Sequence, residues 1–246
     1  RRGVIGRSRY ATRLRQQIRE AFKDCPDGCG SVLIFGEPGV EKDNIAALIH
    51  YGSVYRRQPI IQVDCARLQT SGAELFGRAG GKPSLLEALD RGTLVLNNVG
   101  ELPSNLVGAI ATLLKTGTYR PIPHDSTESA PERSSAARFI LIAERPVPTL
   151  SAVVNSQIKV PPLRVRKADI EDYVKYYISL ISRAKGQRRI GVTPEAIRRL
   201  QAYDFPNNLR ELESLVSRAL SQVAVGCLLT EEILWPSQSK KKQFRT

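Results

Sequence analysis

The apolar run Ser31-Val32-Leu33-Ile34-Phe35 is followed at once by Gly36-Glu37-Pro38-Gly39 and then by helical spacing over about 43–51. A buried strand, a glycine-containing turn and a helix in immediate succession admit few folds. They aim the N–H groups of the turn and the N-terminus of the helix at one point beyond the sheet, a geometry suited to phosphate. Further strands are predicted at 60–63, 93–96, 139–143 and 158–160, the last stopped by Pro161 and Pro162. Helices are predicted at 8–22, 84–90 and 103–116. Strands alternating with helices imply an α/β fold, a mostly parallel sheet sandwiched by helices.

From Ala168 the pattern turns purely helical, at about 169–184, 194–203 and 208–224. In the last segment Leu209, Leu212, Val216, Ala219 and Val223 share one face, and Asn208 with Glu211 has the spacing of a capping box. The expected organisation is an α/β body over 1–165, a small helical lid over 166–236 and a basic tail over 237–246. Residues 121–137 lack apolar periodicity and are predicted to be an exposed loop.

Composition narrows the class. With 41% apolar and 25% charged residues, wholesale disorder is excluded. No apolar run approaches the roughly 18 residues that span a bilayer. Cys25, Cys29, Cys65 and Cys227 are too few and too scattered for a secreted disulfide framework, which points to a reducing, intracellular compartment. Cys25 and Cys29 read as incidental thiols in a turn, since His50 and His124 are far off in sequence, so no metal site is expected; Cys65 reads as a small buried residue. A chain that starts at Arg1 with no apolar leader behind it is expected to be a module of a longer protein. The 37 basic and 24 acidic residues give a net charge of +13, which favours anionic partners: nucleic acid, anionic lipid or nucleotide. The excess is spread along the chain, with Lys240, Lys241, Lys242 and Arg245 its densest cluster, and scattered charge is more often a solvated surface than a binding stripe.

Gly36 and Lys42 match the phosphate-loop pattern G-x-x-x-x-G-K-[ST], but Glu41 stands at the second glycine and Asp43 at the hydroxyl position. A side chain at position 41 obstructs close approach of the backbone to phosphate, and its carboxylate repels an anion and competes for Lys42. The loop is either an inherited scaffold without useful nucleotide affinity or a site of residual binding.

Beyond the loop, the chain resembles the AAA+ ATPase domain of bacterial enhancer-binding activators of the sigma-54 RNA polymerase. The resemblance runs from Val4-Ile5-Gly6-Arg7-Ser8 to about Trp235. It is carried by Glu74-Leu75-Phe76-Gly77, Gly92-Thr93-Leu94, Glu101-Leu102-Pro103, Pro161-Pro162-Leu163-Arg164 with Arg166, Asp169-Ile170, and Pro206 with Asn208-Leu209-Arg210-Glu211-Leu212. A further resemblance is to altered members in cyanobacteria and plants, where such a module belongs to a larger protein. The implied location is the bacterial cytoplasm or the chloroplast.

The resemblance implies an AAA+ P-loop-type sheet and lid, and it implies lost chemistry. The family's Walker B strand ends in Asp-Glu, which holds magnesium and polarises water; Asn97 and Asn98 occupy those positions. Its polar sensor pair is replaced by Ala143-Glu144, and no arginine follows Arg145 before Pro161 to act as a finger. The polymerase-contacting loop is missing between Gly77 and Gly92, so contact with the sigma factor is not expected. Arg210 matches the second sensor arginine of the lid or is a surface arginine paired with Glu211 or Glu213. The backbone of Val4, Ile5 and Gly6 matches the segment that meets adenine. No catalytic residue and no cofactor are therefore expected. The remnant available to ATP or ADP is Gly36, Glu37, Pro38, Gly39, Val40, Glu41, Lys42, Asp43 and Arg210. The implied role is a regulatory or protein-interaction module whose partners include the rest of its own chain; the alternative is a nucleotide-binding transcription switch without turnover.

Overall fold

A computed structural model describes residues 3–23, 30–81, 83–123, 130–184, 186, 190–222 and 228–235. Cys25, Cys29, Cys227, His124 and the tail over 237–246 lie outside the described residues. Contacts divide the chain into two units, one holding Arg13–Val160 and the other Ile5–Thr12 with the chain from Pro161 onward. No helix among the described residues is long and apolar enough to cross a membrane.

The first unit takes α1 (Arg9–Lys23) from Arg13 onward, then β1 (Ser31–Phe35), α2 (Lys42–Gly52) and β2 (Ile60–Asp64). Short α3 (Ala73–Phe76) and α4 (Leu85–Leu89) precede β3 (Thr93–Asn97) and α5 (Ser104–Thr116). The two-residue strands β4 (Thr118–Tyr119) and β5 (Arg133–Ser134) come next, then β6 (Arg138–Ala143), α6 (Pro148–Ser151) and β7 (Ser156–Lys159). Five parallel strands run in the order β2-β3-β6-β1-β7. Helical crossovers between them place every strand's C-terminal end at one edge.

The apolar runs were legible as strands because both faces of this sheet are buried. Leu33, Leu94, Leu96, Phe139 and Leu141 pack with Leu106, Ile110 and Leu113 of α5 on one face. Val32, Ile34, Val95, Ile140 and Ile142 pack with Leu14 and Ile18 of α1 and with Ile45 and Ile49 of α2 on the other. Each such side chain contributes about 1.5–3 kcal/mol relative to exposure. Arg138, 2% exposed at the start of β6, is accommodated by donating from Nη2 to the carbonyl of Ala21. At the same end His50 Nδ1 and Thr93 Oγ1 share a buried 2.8 Å hydrogen bond.

The second unit holds α7 (Ile170–Ala184), α8 (Pro194–Ala202), α9 (Asn208–Leu220) and α10 (Glu231–Leu234), around a core that includes Tyr173, Tyr177, Phe205, Leu212 and Val216. Asp169, fully buried, accepts from the N–H groups of Arg7 and Ser8 at 2.9 and 2.8 Å and from Ser8 Oγ at 2.6 Å.

Two local expectations are corrected. Asn208 does not form the capping box with Glu211: it is fully buried inside the helix start, and its Oδ1 accepts from Leu163 N–H at 2.8 Å. Satisfying that buried donor outweighs capping, and Glu211 instead accepts from Asn207 N–H at 2.9 Å. The segment 121–137 is not all exposed loop, since β5 pairs with β4 and Ala130 and Ala137 are buried.

Candidate functional site

β1 delivers the chain to Gly36 at the C-terminal edge. A Cβ on Gly36 would lie 2.6 Å from the carbonyl oxygen of Val160, so only glycine fits this close approach. Gly36 N–H donates to the Ala143 carbonyl at 3.3 Å, which ties the loop to the end of β6. Gly39 turns the chain at φ 77°, Val40 is buried, and Glu41 takes φ 66°, ψ 45° as it enters α2. Glu41 thus keeps the left-handed backbone that a glycine adopts without cost, and its side chain makes no capping bond to the helix.

Lys42 Nζ donates to the carbonyls of Gly36 at 2.7 Å and Glu37 at 3.0 Å, so the ammonium is folded onto its own loop. Asp43 lies in the first turn of α2 and accepts from Gln62 Nε2 at 3.1 Å. Two carboxylates therefore stand at the helix end whose dipole attracts anions.

Beside the loop, Asn97 closes β3 half-buried, with an enclosed Oδ1 that accepts no hydrogen bond among the described residues. Asn98 is left-handed at φ 56°, and its Nδ2 donates to Asp64 Oδ1 at 2.9 Å. Asp64, in register with Asn97, was missed in the sequence reading. The available signal was a carboxylate at a strand end, next to the strand that ends in Asn97. The hydrogen bond from Asn98, then that from Ala66 N–H, holds its carboxyl below the ordinary range. It is a carboxylate at this corner, one strand away from the positions the resemblance points to.

Cys65 follows Asp64 and is 1% exposed. Burial, and secondarily the charge of Asp64, pushes its thiol up to about 12. Iodoacetamide at mildly alkaline pH is expected to leave Cys65 unmodified in the native protein and to alkylate it in denaturant, as read by peptide mass spectrometry.

Between Gly77 and Gly92 the chain takes a short path. Ala79 N–H donates to Ile122 and Ile122 N–H to Gly77, each at 2.9 Å, and Ser84 with Glu87 forms the capping box that starts α4. Ala143 is buried and Glu144 exposed at the end of β6. An open groove of about 360 Å³ lies there, lined by Asn98, Gly100 and Glu101 and by Glu144 to Pro148.

Gly36 to Asp43 are thus brought together in the first unit, while Arg210 belongs to the second. Arg210 is exposed on the first turn of α9 and makes no ion pair with Glu211 or Glu213 among the described residues. Glu211 is engaged by Asn207 N–H and Tyr203 Oη, and that hydrogen bond from Tyr203, then partial desolvation and the charge of Glu211, raises the Tyr203 phenol.

Residues 4–146 match the sigma-54 interaction domain, and residues 164–245 match the AAA+ ATPase lid domain. The chain belongs to the sigma-54 interaction domain family. It is 30% identical over 242 residues to the uric acid sigma-54-dependent regulator UacR of Escherichia coli (strain K12), covering 92% of this chain and 41% of that protein. It is 32% identical over 239 residues to the anaerobic nitric oxide reductase transcription regulator NorR of Aeromonas salmonicida (strain A449), covering 88% and 45% respectively. The chain thus spans less than half the length of these curated relatives. A crystal structure of NtrX from Brucella abortus in complex with ADP superposes with a TM-score of 0.77 at 24% identity, covering 93% of this chain and 54% of that one, which bears on the fold alone. The sigma-54 interaction domain of this chain therefore has the family's α/β body and lid, with Glu41, Asn97 and Asn98 at its phosphate-loop edge.

Proposed function

We propose that this sigma-54 interaction domain does not hydrolyse ATP and works as a regulatory, protein-binding module of a larger chain. The observation that carries the reading is the end of β3. Asn97 and Asn98 offer amide oxygens where magnesium needs anionic ones, and the nearby carboxylate of Asp64 is already engaged by Asn98 and Ala66. Asp43 at the hydroxyl position and the missing finger arginine point the same way. These residues do not fit a magnesium–nucleotide complex. The short path from Gly77 to Ser84 supports a role without sigma-factor contact.

A second reading, nucleotide as a switch without turnover, is favoured by two cations. Lys42 sits at the helix end where phosphate would lie, and Arg210 is exposed on the lid. Titration calorimetry with ATP and ADP, with and without magnesium and beside Lys42→Ala, separates the two. Absence of heat up to millimolar nucleotide is expected for the module. Micromolar binding lost in Lys42→Ala would transfer the conclusion to the switch. Magnesium-dependent phosphate release lost in the same variant would overturn both.

A further inference from the structure

We propose that the C-terminal edge of the sheet binds a lysine- or arginine-bearing peptide segment in the groove between Asn98–Glu101 and Glu144–Pro148. This deepens the protein-binding reading by naming the chemistry of the partner.

The electrostatics of this edge oppose those of the chain. A molecule of net charge +13 here presents Glu37, Glu41, Asp43, Asp64, Glu101 and Glu144. The cations along the same edge are Lys42, Arg67, Arg145 and, at the end of β7, Lys159. Lys42 is committed to two loop carbonyls, and Arg67 lies 3.7 Å from Asp64. The neighbourhood is contiguous. Asp64 is in register with Asn97, Leu96 with Leu141 of β6, and Ala143 with Phe35, so successive strand ends stand about 4.8 Å apart. An edge shaped for an anion has become a place where an anion is repelled.

The groove has the form a basic side chain needs. Glu101, Glu144 and Arg145 are exposed and line it, two carboxylates to one guanidinium, whereas Pro146, Val147 and Pro148 give it an apolar wall. The methylene stem of lysine or arginine lies on such a wall while its head meets carboxylates in water. About 360 Å³ of open space accommodates one such side chain and the backbone that carries it. A lone divalent cation fits less well, because no three His, Cys, Asp or Glu side chains converge on one point among the described residues.

The test titrates the full chain into a fluorescein-labelled Gly-Lys-Gly-Arg-Gly-Lys-Gly peptide and into the same peptide with glutamate at each cation, reading polarisation at low and physiological salt. The basic peptide is expected to bind, with affinity falling as salt rises, and the acidic one to stay free. Glu101→Gln with Glu144→Gln is expected to weaken binding about tenfold, and Glu144→Gln alone about threefold, whereas Glu213→Gln on α9 leaves it unchanged. Both carboxylates are exposed, and an unchanged thermal midpoint confirms the fold of each variant. Equal binding of the two peptides, no binding of the basic one, or indifference to the double variant would overturn the proposal. Phosphate release measured on the same samples keeps the two conclusions apart: turnover with intact Glu101/Glu144-dependent binding removes the non-hydrolysing reading and leaves the groove.

Discussion

Glu41→Gly is expected to raise affinity for ADP by about ten- to a hundredfold while leaving ATP turnover at background. Two effects act at this residue. The left-handed backbone at φ 66° costs a side-chain-bearing residue about 1–2 kcal/mol, which glycine does not incur. Glycine returns about 0.5–1 kcal/mol of that through its larger unfolded-state entropy, so the net stabilisation is about 0.5–1 kcal/mol, a rise of roughly 1–4 °C in melting temperature. The affinity term is larger. A carboxylate within about 5 Å of a bound phosphate at an effective dielectric of 20–80 opposes it by about 1–3 kcal/mol, and the substitution removes that charge from the N-terminus of α2. Lys42 still has to leave the carbonyls of Gly36 and Glu37, which keeps the gain below the full Coulomb figure. Turnover stays absent because Asn97 and Asn98 are untouched. Titration calorimetry with ADP is expected to give measurable heat for the variant where the wild type gives none up to millimolar nucleotide, and scanning calorimetry of both reads the backbone term separately. Absence of heat from the variant as well, alongside a raised melting temperature, would mean that backbone strain, and not charge, is the whole effect of Glu41.

Why the phosphate loop could be found in the sequence while its neighbours could not is a matter of range. The loop is local: Phe35, Gly36, Gly39 and Lys42 lie within eight positions, and the strand and helix flanking them follow from apolar spacing alone. The same spacing located β1, β2, β3 and β6 to within a residue, because β1, β3 and β6 are buried on both faces and the half-buried edge strand β2 still carries Ile60, Ile61 and Val63. β7 was placed two residues late: its half-buried Ser156 and exposed Gln157 carry no apolar signal. α3, α6, α10 and the β4–β5 pair are too short for any period to register. Asp64 and Asn98 meet across 34 positions, and Asp169 meets Arg7 and Ser8 across more than 160. Nothing local marks such partners. Asn208 was misread for the related reason that its buried partner, Leu163 N–H, lies 45 positions away.

Asp169→Ala is expected to destabilise the lid unit by about 3–5 kcal/mol, the largest stability effect of any polar substitution argued from these contacts. Its carboxylate is fully buried and takes hydrogen bonds from Arg7 N–H, Ser8 N–H and Ser8 Oγ. Bonds to a charged group are worth about 1.5–3 kcal/mol each, less than additively when they share one acceptor. Removing the acceptor also strands two backbone donors in a part-buried site. Asp169→Asn separates charge from connectivity: its Oδ1 can keep both N–H donors and its Nδ2 can donate to Ser8 Oγ, so the cost falls to about 1–2 kcal/mol. Gly6→Ala attacks the contact from the other side. Its Cβ would sit 2.3 Å from the Asp169 carboxyl carbon, and φ 112° is itself unfavourable for alanine. Its cost is therefore expected to approach that of Asp169→Ala. Urea melts followed by the near-ultraviolet signal of the lid's Tyr173, Tyr177 and Trp235 report this unit directly. Equal costs for Asp169→Asn and Asp169→Ala would show that the charge holds residues 6–8 in place; a cost for Asp169→Asn near zero would assign that work to the hydrogen-bond geometry.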